Sequence, residues 1–287
     1  MKQALFTGCI IPIQNPFIER IARDIFPKIG VEINDLEFSC CPFYGVRDID
    51  EKEWLVIAAR NLSLAEEKSL EIVSLCNGCT QTLKEANEML RNNELREEIN
   101  TSLARINRHY NGTVKVTHFM MLLDNIKDKL RPMIKPLRGL RIATHTGCHL
   151  LRPSGIMGYD NPENPARFNE FIRFLGAQAV EYNSSSLCCG YSQITNDKDA
   201  SLSIMKDKLD ELSKLDIDCL SVCCPSCFNQ FDKNQVLLKS KYTIDYKIPV
   251  LHVLQLLGIS MGMSPEQVFI QNNRTISPEL KEKLSQI

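Results

Sequence analysis

Ten of the twelve cysteines in this 287-residue chain fall into two sets built on one plan. The first set is Cys9, the adjacent pair Cys40 and Cys41, and the CxxC pair Cys76 and Cys79; the second is Cys148, the adjacent pair Cys188 and Cys189, and the CxxC pair Cys224 and Cys227. From Cys41 to Cys76 and from Cys189 to Cys224 the separation is the same, 35 residues. A CxxC places two sulfurs on one ion from a tight turn, and a remote cysteine adds a third, which suits tetrahedral zinc or an iron-sulfur cluster. Four ligands saturate either, and each set offers five. Adjacent side chains diverge, so an adjacent pair fits ligands to different irons of an extended cluster better than it fits chelation of one ion. Zinc in one half stays open as the alternative, because four of five thiols hold it.

The bulk numbers agree with metal or redox chemistry. Twelve cysteines in 287 residues is too sparse for a small disulfide scaffold, and a chain of this length buries a core without such staples. In a reducing compartment, clustered thiols point to metal binding or catalysis. A hydrophobic fraction of 44%, a charged fraction of 24% and a net charge of -1 are those of a soluble globular protein with no polyanion-binding signature, so nucleic acid is not expected as a partner. The opening "MKQALFTGCIIPIQNPF" lacks the long apolar region of a signal peptide, and no stretch approaches the roughly 20 apolar residues of a membrane span. A cytoplasmic protein is expected.

The flanks of the two sets echo each other as well. "LFTGC" pairs with "ATHTGC", "SLCNGC" with "SVCCPSC", and "VKVTHFMMLLDNI" with "IPVLHVLQLLGI". The chain reads as a duplication with a boundary near "KPLRGL", dividing it into residues 1–137 and 138–287. Within each half, short β-branched or apolar runs alternate with amphipathic helical patterns, which predicts an α/β fold of two pseudo-repeated subdomains with small parallel sheets. "QALFT", "VEIN", "LEIVSL" and "TVKVTH" read as strands of the first half, with helices over 51–70 and 80–106. In the second half "GLRIATH", "AQAVEY", "IDCLSV" and "IPVLHV" take those places, with helices over 163–176 and over "KDASLSIMKDKLDELSKL". The cysteines then follow the carboxyl ends of strands, the edge where open α/β sheets bind ligands.

The pattern Cx(30)CC, x(34), CxxC followed by Cx(39)CCG, x(34), CxxC resembles the two cysteine-rich CCG domains of the heterodisulfide reductase B-type family of methanogens. "AARNLSLAEE", "LCNGC" and "GCHLLRPSG" carry the same resemblance, which covers essentially the whole chain. It implies two noncubane 4Fe-4S clusters, one held by Cys9, Cys40, Cys41, Cys76 and Cys79 and one by Cys148, Cys188, Cys189, Cys224 and Cys227. It also implies two-electron reduction of the coenzyme M-coenzyme B heterodisulfide, a small-molecule disulfide cleaved between the two clusters to give two thiols. In such a family the electrons come from a ferredoxin-like C subunit fed by a flavin-bearing A subunit, in a complex of an anaerobic archaeon. The chain departs from the pattern in reading "CCP" in the first half and "CCGYSQIT", without a glycine-rich continuation, in the second. The second departure bears on the substrate. The same domains serve a reductase or electron-transfer subunit for another sulfur substrate, and a zinc-holding assembly subunit is the noncatalytic reading.

Other residues carry weaker signals. His145 and His149 flank Cys148, and either could donate to a cluster sulfur or protonate a departing thiolate; His149 is the stronger catalytic candidate. His118 and His252 occupy equivalent repeat positions, which predicts a shared structural task. Arg47 and Arg152 lie near the cysteine loops, where surface exposure is the expectation. Cys219 and Cys223 match no ligand position and read as small buried hydrophobes. The stretch from Met263 to Ile287 reads as an arm for a partner or as a surface tail. No GxGxxG follows a strand, so the flavin must lie on a partner.

Overall fold

The computed structural model describes residues 1–287. Four strands of the first half, β1 (Lys2–Phe6), β2 (Glu32–Asn34), β3 (Glu71–Ser74) and β4 (Val116–His118), pair in parallel in the order β2-β1-β3-β4. In the second half β5 (Arg141–His145), β6 (Gln178–Val180), β7 (Cys219–Val222) and β8 (Val250–His252) repeat that topology as β6-β5-β7-β8. Seven of the eight strands fall within the stretches that alternation and β-branched content predict, and β1 starts one residue earlier than its stretch, at Lys2. Their centres are apolar and buried, as parallel strands covered by helices on both faces must be: Ala4, Phe6, Ile72, Val73, Ile142, Ala143, Leu220 and Val222 are fully enclosed.

Register brings the cysteines to one edge. Phe6 pairs with Ser74, so Cys9 and Cys76 leave the first sheet side by side. In the second sheet His145 pairs with Val222 and does the same for Cys148 and Cys224.

The helix expected over 51–70 runs Glu51–Glu67, with the Asp50 carboxylate accepting from the Glu53 amide at 2.9 Å. The one expected over 163–176 runs Arg167–Phe174, and Phe168, Phe171, Ile172 and Leu175 are all buried. The helix expected over 80–106 is two helices, Asn77–Met89 and Asn93–Leu103. Asn92 divides them, because its side chain accepts from the Leu95 amide at 3.1 Å and starts a new helix. The first of the two begins inside the CxxC, so Cys79 sits in its opening turn.

The C-terminal stretch is neither a free arm nor a loose tail. It packs on its own half, where the Gln255 amide donates to the Val268 carbonyl and the Asn273 side chain at 3.0 and 2.9 Å. The buried Asp232 carboxylate accepts from the Arg274 and Thr275 amides, and Leu280 and Leu284 of the helix Pro278–Ser285 are enclosed. The apolar run of the helix Val253–Ser260 needs that cover.

The halves are clamped through their cysteine loops. The Asn77 amide, from within the first CxxC, donates to the Thr146 carbonyl at 2.7 Å, and Lys84 donates to the Met157 carbonyl at 2.7 Å. On the other side Asn15 donates to Asn229 at 3.0 Å, and Phe17 packs edge-on against Phe228 with centroids 5.2 Å apart. No helix is long and apolar enough to cross a membrane.

Candidate metal centre

All ten cysteines of the two sets line one cavity of about 280 Å³ at the seam between the sheets. Within each set the sulfurs form a short chain. Cys9 and Cys40 are 3.9 Å apart, Cys40 meets Cys41, and Cys41 meets Cys79, which meets Cys76. In the second set Cys148 and Cys188 are also 3.9 Å apart, while Cys189 turns to Cys227 at 3.5 Å, and Cys227 meets Cys224. The members of each adjacent pair meet each other and, on their outer sides, have different neighbours. The two chains of sulfurs join where Cys76 meets Cys224, one cysteine from each CxxC.

Ten thiols in one enclosed volume cannot ionise together without a compensating positive charge. Packing against Cys40 and burial push the Cys9 thiol up, and packing against Cys188 and burial do the same to Cys148. The donor chemistry and the crowding both fit a multinuclear cationic group, with thiolates as its ligands. Two glycines make room for it. Gly8, at φ +66°, sits where a Cβ would lie 2.7 Å from the Cys79 sulfur, and Gly147, at φ +84°, where a Cβ would lie 2.6 Å from the Asn77 amide nitrogen.

A ring nitrogen of His145 lies with the Cys189 and Cys227 sulfurs in a group whose donor atoms are within 4.8 Å of one another, a set that zinc could take. The other side of that ring meets a buried lysine. The buried Lys208 amine donates to the Ser184 carbonyl, to the Leu187 carbonyl at 3.2 Å and faces His145 Nδ1 at 3.3 Å. The lysine occupies the Nδ1 side, and Nε2 is left buried without a hydrogen-bond partner.

His149 lines the cavity, its ring 5.1 Å from that of Tyr44, whose buried hydroxyl has no hydrogen-bond partner. Burial and the Glu85 carboxylate push the Tyr44 hydroxyl up, so it remains a proton donor over the whole neutral range. Arg47 and Arg152 do not line the cavity: Arg47 pairs with Glu85 at 2.7 Å and Arg152 with Glu163 at 3.1 Å. His118 and His252 share the task of capping, accepting at Nδ1 from the Met120 and Leu254 amides at 3.3 and 3.4 Å. Cys219 is enclosed on β7, and Cys223 lies against the Thr146 carbonyl at 3.2 Å, outside the cavity lining.

Against known proteins, the family model described as "Cysteine-rich domain" matches residues 3–84 and again 142–232. A relative from Methanosarcina mazei, the B component of the ferredoxin:CoB-CoM heterodisulfide reductase, is 35% identical over 100% of this chain and 98% of its own. The chain belongs to the heterodisulfide reductase B-type family. It is an oxidoreductase component made of two copies of the cysteine-rich domain. A protein of Archaeoglobus profundus described as like the B component of heterodisulfide reductase is 37% identical, with 93% of each chain covered. The 8-methylmenaquinol:fumarate reductase membrane anchor subunit of Wolinella succinogenes is 30% identical over 94% of this chain and 95% of its own. Membership of the heterodisulfide reductase B-type family accounts for the doubled cysteine plan and for the two matching sheets.

Three contributors to the site escape the sequence reading. Tyr44 and Asn77 lie beside cysteines in sequence but carry no motif signal of their own, and tertiary folding alone brings Lys208 to them. Asn77 sits inside the CxxC and was visible only as its spacer.

Proposed function

We propose that the chain is the iron-sulfur catalytic subunit of a heterodisulfide reductase, divided at residues 1–137 and 138–287, with one noncubane 4Fe-4S cluster in each division. Cys9, Cys40, Cys41, Cys76 and Cys79 are the ligands of the first, and Cys148, Cys188, Cys189, Cys224 and Cys227 of the second. The supporting observation is the single cavity lined by all ten cysteines, in which the two sets meet at Cys76 and Cys224. These ten cysteines would hold the clusters, which would supply the two electrons that cleavage of one small disulfide needs. The overall reaction takes the coenzyme M-coenzyme B heterodisulfide, two electrons and two protons to two thiols.

The chain's own side chains supply the rest. Ile10, Phe43, Ile194 and Pro225 line the cavity with apolar surface and exclude water. The neighbouring His149 delivers a proton to a departing thiolate, and the Tyr44 ring holds the imidazole in place. Electrons arrive from a ferredoxin-like C subunit supplied by a flavin-bearing A subunit, in the cytoplasm of an anaerobic archaeon.

A second reading is favoured by two observations. The lining contains no lysine or arginine to pair with an anionic substrate, and Tyr191, Ser192, Ile194 and Thr195 from the divergent "CCGYSQIT" form part of the wall. In that reading the same centre acts on another, less charged sulfur substrate. Turnover under anoxia with reduced viologen as donor decides between them. Consumption of the heterodisulfide with two thiols formed per disulfide supports the first reading. An iron-loaded protein that leaves this substrate intact and reduces a neutral disulfide supports the second.

A further inference from the structure

The two cysteine sets share a plan, yet their surroundings differ in one consistent direction. At the end of β5 stands His145, and at the end of β1, in the matching place before Thr-Gly-Cys, stands Phe6. The Gly190 amide donates to the Cys188 sulfur at 3.3 Å; its counterpart after Cys41 is Pro42, which has no N–H to give. The shared 35-residue spacing aligns Lys208 with Arg60. Lys208 is 2% exposed, whereas Arg60 is partly exposed and donates at 2.6 Å to the Glu37 carbonyl.

Lys208 also lacks a carboxylate partner. Its contacts are two carbonyls, His145 Nδ1 and the Tyr182 ring, whose centroid is 5.5 Å away, and Glu211, which acts on it only electrostatically, spends its carboxylate on the Asn183 and Ser184 amides. An ammonium buried without an anion costs roughly several kcal/mol, so its presence implies negative charge nearby. The Cys189, Cys227 and Cys188 sulfurs, which as thiolates act on it electrostatically more than Glu211 does, supply most of that charge.

The His145 Nε2 is buried without a hydrogen-bond partner, and the ring lies beside the Cys189 and Cys227 sulfurs. Hydrogen bonds and positive charge at cluster sulfurs stabilise the reduced, more negative form and so raise the reduction potential. We propose that Lys208, acting through the imidazole of His145 and together with the Gly190 amide, makes the second cysteine set the higher-potential of the two sites, so that an electron entering the chain settles there first. Both are positioning residues, since neither meets the substrate. The inference rests on the iron-sulfur reading above and adds a direction to it.

An anoxic redox titration of the full chain, followed by electron paramagnetic resonance and accompanied by iron content, tests this. Lys208→Met and Lys208→Gln remove the charge, Gln retaining a donor for the two carbonyls; His145→Phe installs the first half's residue, and His145→Gln restores an N–H. The expected result is two transitions in the native protein. The higher one falls in Lys208→Met, Lys208→Gln and His145→Phe, recovers towards the native value in His145→Gln, and the lower one stays in place. The inference is overturned if, at full iron content, the lower transition moves, both move together or neither moves. A native protein without iron would overturn the iron-sulfur reading instead.

Discussion

The first and second halves carry the same four-stranded sheet, the same five cysteines and the same capping histidine, but they surround the sulfurs with different chemistry. Around the first set stand Phe6, Ile10 and Pro42; in the matching places of the second stand His145, His149 and Gly190. Duplication supplies two equal cradles, and the residues between the ligands then make them unequal. The ligands dictate that something is held, and the neighbours decide what each half does with it.

The ligand sets should break the comparison least, since both are required. Cys41→Ser and Cys189→Ser should each remove about half of the iron and lower disulfide turnover by at least about 100-fold, as read by metal analysis and thiol release. A variant that keeps its iron would remove that cysteine from the ligand set. The next position separates the halves. His149→Ala should lower kcat about 100-fold with iron unchanged, in keeping with loss of a positioned acid. Ile10→Ala, at the matching place of the first half, should change it no more than a few-fold, and equal losses would deny His149 its proton.

Gly8 and Gly147 sharpen the contrast. An added Cβ lies 2.7 Å from the Cys79 sulfur in one; in the other it lies 2.6 Å from the Asn77 side-chain nitrogen and only in ordinary contact, 3.4 Å, with the Cys227 sulfur. Both substitutions carry backbone strain of about 1 kcal/mol. Gly8→Ala should in addition shed iron from the first site, whereas Gly147→Ala should lower the melting temperature with most iron retained. Iron analysis beside thermal unfolding distinguishes them.

The smallest effect concerns the residues in which the halves agree. Burial lowers the pKa of both His118 and His252 to about 3, against about 6.5 when unfolded. A depressed imidazole pKa means that the unfolded chain takes up the proton first. The stability from the neutral imidazoles is whole above pH 6.5 and declines by about 1.4 kcal/mol per unit for each residue as pH falls towards 3. His118→Asn and His252→Asn should each remove one such slope, by equal amounts, in urea unfolding at pH 7 and 5.5. Unequal slopes would show that the two caps are not equivalent.

Much of this was legible because duplication writes its pattern twice. The strand places, the ten cysteines and the shared role of His118 and His252 follow from spacing that repeats. What was hidden lies outside the repeat. Lys208 looks in sequence like any lysine of a charged amphipathic helix, and only tertiary packing buries it over Ser184 and Leu187. The break at Asn92 was missed because amphipathic periodicity continues across it, while the cap depends on a local side-chain bond. The C-terminal stretch reads as an arm for a partner or a surface tail because its anchors, Gln255 and Asp232, sit in other elements.

The central claim is that each half holds its own cluster. Iron, zinc and acid-labile sulfide per chain, measured on the full chain purified without oxygen, test it most directly. About eight iron with matching sulfide and no zinc is the expected result. About four iron with one zinc would contradict it, confining the chemistry to one half and leaving no pair of clusters to share a disulfide.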